Sequence, residues 1–201
     1  MHLLAKSGAL FALSALATAL AWGRAPNDPA ILSTAQLTVP KLQQRPTLEE
    51  FLGMKATGAG LGMLKITGFK QREPKDGAPV SQPTEVYVGY TDKNLYVVFI
   101  CFDEPRLIRA RMERRELIEE DDQVGFVLDT FNDHKAAVFF YLNPLGIQQD
   151  GIWTEPGGPD YSYDMVWHSD ARLTERGYVG WFEIPFKSLR FPARAQQKWG
   201  L

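Results

Sequence analysis

Cysteine is nearly absent from this 201-residue chain, and Cys101 stands alone. No internal disulfide is possible, so the fold must rest on a packed core. Cys101 lies inside the apolar run 95–102, where a thiol is a small core residue rather than a nucleophile. Histidine is almost as scarce, and neither His134 nor His168 has a partner at metal-ligand spacing. There is no nucleophile elbow and no Ser/His/Asp pattern. Neither sign of charge dominates: 22 Lys and Arg stand against 24 Asp and Glu. The net charge of -2 gives no electrostatic reason to expect nucleic acid as a partner. No segment carries the roughly 20 apolar residues that a membrane-spanning helix needs. Internal repeats and low-complexity tracts are also missing.

What is present begins with the N-terminus. Lys6 is followed by an apolar stretch over residues 9–21, and Ala19-Leu20-Ala21 offers small residues at both positions of an A-x-A cleavage site. Residues 1–21 read as a signal peptide, so the protein is expected to be exported, to the periplasm or the cell envelope. Residues 22–46 hold Pro26, Pro29, Pro40 and Pro46 without a sustained period and read as a linker. The domain proper is expected over 47–201. It opens with one helical turn at 47–52, where Thr47 and Glu50 have capping-box spacing. Gly58, Gly60 and Gly62 form a loop rather than a dinucleotide fingerprint, because no strand precedes them and the chain that follows reads as a strand, not a helix.

From residue 85 the apolar period becomes two. Strands are expected over 85–91, 95–102, 122–129, 136–142, 146–154, 166–174 and 178–185, with an edge-like strand over 108–112. The run 95–102 is apolar on both faces, which marks a central strand. Gly, Pro, Asn and Asp punctuate the gaps. Eight short strands without room for crossover helices argue for an all-β, antiparallel β-sandwich. The chain closes on Lys198-Trp-Gly-Leu201, where a further strand is expected; a sandwich lacking its last strand would leave an open edge.

Two constellations point to chemistry. Trp153, Tyr161, Tyr163 and Trp167 lie in or beside the loop 155–164. An indole or phenol face matches the apolar C–H face of a pyranose, and nearby Asn143, Asp150 and Asp164 suit its hydroxyls. Against this stands the reading that each Trp is an inward core residue. Arg114, from the basic run 106–115, is a further candidate for a sugar hydroxyl or carboxylate, although that run reads equally as a solvated edge. The second constellation is acidic: Asp121 and Asp122 open a strand and Asp129 closes it. Oxygen-only sets suit Ca2+, but the spacing is not that of an EF-hand, and solvated strand-end carboxylates look the same. No carboxylate pair among Asp150, Glu155, Asp164 and Glu183 is marked out for glycoside hydrolysis.

Several ordered segments resemble the family 9 type of carbohydrate-binding module. They are residues 84–99 (TEVYVGYTDKNLYVVF), 119–129 (EEDDQVGFVLD), 139–146 (FFYLNPLG), 164–167 (DMVW) and 180–189 (GWFEIPFKSL). Two positions depart from the family pattern: Gln43-Gln44 replaces an early D-G pair, and Tyr163 replaces the first aromatic of a W-D-x-x-W segment. The resemblance implies a β-sandwich that holds a polysaccharide or oligosaccharide between aromatic side chains, with structural Ca2+ in some members. It further implies a non-catalytic part of a larger envelope or carbohydrate-degrading protein, with any membrane contact made by a region beyond this sequence. The alternatives are a structural or docking domain without a sugar site, a glycoside hydrolase, and a haem-binding relative using Met112 and His168.

Overall fold

The structure, a computed structural model, describes residues 36–201. The leader expected at 1–21 and the first part of the linker lie outside the described residues. Residues 37–201 form one compact unit. Its strands are β1 (Leu64–Ile66), β2 (Thr84–Tyr90), β3 (Asn94–Phe102), β4 (Val124–Leu128), β5 (Ala136–Leu142), β6 (Gln148–Thr154), β7 (Gly158–Asp160), β8 (His168–Thr174) and β9 (Gly177–Pro185). They build a five-stranded sheet in the order β1-β2-β3-β9-β8 and a four-stranded sheet in the order β4-β5-β6-β7. Every pairing is antiparallel.

The two-residue alternation of β3 explains the architecture. Leu95, Val97, Phe99 and Cys101 face the smaller sheet and meet Val124, Phe126, Leu128, Phe140 and Leu142 there. Tyr96, Val98 and Ile100 face the other way, into a second core with Tyr87, Val179 and Trp181. Leu42, Leu48, Phe51, Met54 and Met63 close that second core. A sheet buried on both faces needs strands apolar on both faces, and β3 and β9 are built so. Burial raises the Cys101 thiol to about 11, as expected of an inert core cysteine.

Three expectations are corrected. Residues 37–46 belong to the folded unit rather than to a linker: Leu42 is buried, and its N–H donates to the Tyr90 carbonyl at 2.7 Å. The Trp181 indole donates to the Pro46 carbonyl at 3.2 Å, which ties this strap down further. Residues 108–112 are not a strand. The Arg109 N–H donates to Asp122 Oδ2 at 2.8 Å and the Arg109 carbonyl accepts from the Asp122 N–H at 2.9 Å, so the backbone is satisfied by a loop. The strand expected after the glycines is β1, whereas the loop expected at 155–164 contains a strand, β7, that was not foreseen. β1 and β7 are three residues each, and Gly158-Pro159-Asp160 forms one only because β6 lies beside it.

Candidate functional site

Residues paired directly across two antiparallel strands point to the same face. Asp150 pairs with the core residue Phe140, so it points inward; Phe139 with Gly151, Tyr141 with Gln149 and Ala137 with Trp153 then point outward. Val127 joins them opposite Phe139 on the other side. The outer face of the four-stranded sheet is therefore aromatic. The Tyr141 ring covers Gly125 and the Phe139 ring covers Gly151, and a Cβ at either glycine would collide with that ring. Phe139 packs on Tyr141 at 5.8 Å between centroids, and edge-on against Tyr161 at 5.4 Å. Trp153 and Tyr161 are 40% and 43% exposed, far above what core aromatics show. Residues 116–122 border one end of this platform, where the Gln149 amide donates to the Glu116 carbonyl at 3.2 Å.

The residues expected to bind sugar divide between the platform and the scaffold. Trp153 and Tyr161 are on the platform. Trp167 is instead a core residue, stacked on Phe182 at 5.5 Å and 4° and edge-on to Phe140 at 5.3 Å. Tyr163 is half-buried against the same core. Asn143 is fully buried and closes the β5–β6 turn: its carbonyl oxygen accepts from the Leu145 and Ile147 N–H groups at 3.0 and 2.8 Å. Asp150, also without solvent contact, accepts from the Met165 N–H at 2.8 Å and from Arg115. Asp164 is exposed and lies 2.9 Å from the Arg115 guanidinium, and Arg114 is exposed in the preceding loop. Tyr141, Phe139 and Val127 were missed as site residues. Their signal was the pair of glycines opposite aromatics, at 125 and 151.

Glu116 completes the cluster around Arg115, with its carboxylate accepting from the Arg115 Nε at 3.0 Å and from the Asp150 N–H at 2.9 Å. Burial holds the Glu116 carboxyl above its ordinary value. Glu116, Asp150 and Asp164 converge closely around the Arg115 guanidinium, which pairs with each of them. This is a structural ion-pair network joining the 108–123 loop to the 155–165 loop.

The carboxylates expected to hold Ca2+ do not fit the ion. Asp121 is held by the Asn143 amide at 2.9 Å and by the Arg111 N–H and guanidinium, both at 3.1 Å. Asp122 accepts from the Arg109 N–H. Asp129, at the far end of β4, accepts from the N–H groups of Phe131, Asn132 and His134. Burial alone would raise the Asp121 carboxyl, but these donors outweigh it and hold it below the ordinary value. A depressed folded value stabilises the protein above the unfolded value of about 3.9, and that stability is lost as pH falls through the folded value. Asp121→Asn is therefore expected to flatten the acid limb of the stability curve below about pH 4, read by urea denaturation at several pH values. An unchanged acid limb would contradict this assignment.

The other readings find less. Glu183 lies on the larger sheet, gripped by Arg45 at 2.8 Å, away from the Asp150–Asp164 cluster. Met112 is exposed in the 108–123 loop, whereas His168 is on β8 beside Glu183.

The architecture defines an antiparallel β-sandwich with an aromatic outer face. No family model matches the chain, and no curated protein matches it. Among solved structures it is similar to a putative carbohydrate-binding protein from Bacteroides uniformis, at 13% identity and a TM-score of 0.57, covering 76% of this chain and 73% of that one. It is also similar to a family 9 carbohydrate-binding module from Caldicellulosiruptor kristjanssonii in complex with glucose, at 11% identity and a TM-score of 0.53, covering 80% and 74%. The chain has the fold of a family 9 carbohydrate-binding module.

Proposed function

We propose that this protein is an exported, non-catalytic carbohydrate-binding module, a part of a larger envelope or carbohydrate-degrading protein. The observation that carries the reading is the platform of exposed Trp153 and Tyr161, with half-buried Tyr141 lying over Gly125 beside them. Exposed aromatics on a rigid sheet offer flat stacking surface at little entropic cost, which suits a pyranose ring. The fold likeness supports it, since both neighbours are described as carbohydrate-binding and one holds glucose. Export rests on the signal-peptide pattern of residues 1–21. A docking domain without a sugar site would require Trp153, Trp167 and Trp181 all to be core. Trp167 and Trp181 are, at 4% exposure each, but Trp153 is not. Titrating glucose and its soluble β-1,4-linked oligomers into the intact chain should give saturable binding. Failure of every soluble glycan in a broad panel would overturn the proposal.

A further inference from the structure

The strap and the turns over residues 42–63 cover only part of the outer face of the five-stranded sheet. Beside them the sheet opens into a cleft of about 700 Å3. That is within the range of small-molecule sites, about 300–1,000 Å3. Its back wall is the Glu183 carboxylate, on a residue only 7% exposed. Asn94 Nδ2 donates to it at 2.6 Å, the Tyr96 hydroxyl at 3.0 Å and Arg45 Nη2 at 2.8 Å. Asp92, the other carboxylate lining the cleft, lies 2.5 Å from Lys41 Nζ. Both acids are therefore already neutralised by cations.

Lys93 and Lys187 line the same cleft, and neither enters an ion pair among the described residues. The Lys93 carbonyl accepts from the Phe186 N–H at 2.8 Å, which fixes the β2–β3 turn against the segment carrying Phe186 and Lys187. Phe186 supplies an apolar wall. His168 pairs directly with Glu183 and so stands on the cleft side of β8. Two unpaired cations, an aromatic wall, the Asn94 amide oxygen and the His168 imidazole suit one ligand chemistry: a ring with C–H faces, hydroxyls and a carboxylate.

We infer that this cleft binds a uronic acid residue, with Lys93 and Lys187 on its carboxylate, Phe186 against its ring, and Asn94 and His168 among its hydroxyls. The inference does not rest on the aromatic platform, which belongs to the other sheet. The test is calorimetric titration of glucuronic acid into the intact chain, with glucose as the uncharged control. Glucuronate is expected to bind, and Lys93→Ala with Lys187→Ala to weaken it about tenfold or more while leaving any glucose binding unchanged. The Lys→Arg pair should retain binding, and raising the salt from about 50 to about 500 mM should weaken it. Trp153→Ala should leave glucuronate affinity as it is. Absence of glucuronate binding, an unchanged affinity in the double alanine variant, or loss in Trp153→Ala would each overturn the inference. The last outcome would put the acid on the platform instead.

Discussion

Replacing Trp153 and Tyr161 together by alanine should abolish binding of glucose and its uncharged oligomers and leave the sandwich folded. Truncating an aromatic anchor at the centre of a binding surface costs about 2 kcal/mol or more, so the pair should weaken binding on the order of a thousandfold. Both side chains are roughly half in solvent already, and the cost to the fold should be about 1 kcal/mol or less each. Titration calorimetry and urea denaturation on the same samples separate the two effects. The contradictory result is a variant that binds as before, because the platform would then be scaffold only. Loss of binding together with loss of the cooperative transition would also count against the account, since it would make these rings structural.

Phe182→Ala should do the reverse. Phe182 is fully buried at the junction of the two sheets, with Trp167 stacked at 5.5 Å, Phe126 edge-on at 5.4 Å and Phe99 at 5.6 Å. Removing a buried phenylalanine leaves a cavity and costs about 3–5 kcal/mol. For a domain of this size that is a large fraction of a total stability of about 5–15 kcal/mol. The midpoint of urea denaturation should fall sharply, and binding measured well below it should be near normal. A change under about 1 kcal/mol would mean that the sheets are not joined through this ring.

Much of this fold is legible in the sequence, and the reason is periodicity. β2, β3, β5, β6, β8 and β9 alternate because each must bury one face or both, and the run at 95–102 declares a strand covered on both sides. The segment 108–112 alternates as cleanly, yet its backbone bonds go to Asp122 and not to a neighbouring strand. Alternation of apolar and charged residues does not report which backbone partners exist. The strap at 37–46 was hidden for a related reason. It is held by the buried Leu42, by backbone bonds to Tyr90, by the Pro46 carbonyl and by the Arg45–Glu183 pair, none of which leaves a period.

The candidate site was only half legible. Trp153 and Trp167 are the same residue type on either side of one loop, and their fates are opposite. Trp153 faces out because it pairs with Ala137, whereas Trp167, just before β8, turns in against Phe182. Facing depends on register, which a single strand does not contain. Asn143 and Asp150 were misread similarly, since polar residues beside a loop are as often buried fasteners as ligands. Gly125 and Gly151 were the unread signal: a glycine opposite an aromatic in an antiparallel pair marks where a ring lies flat across the sheet.

The most direct measurement is the indole N–H resonance of each tryptophan during titration with a soluble β-1,4-linked glucose oligomer. The account predicts a saturable shift at Trp153, accompanied by the backbone amides of Gly151 and Gly125, with Trp167 and Trp181 unmoved. Binding that shifts Trp181 or Trp167 and leaves Trp153 in place would contradict it, because the sugar would then lie away from the aromatic face of the small sheet.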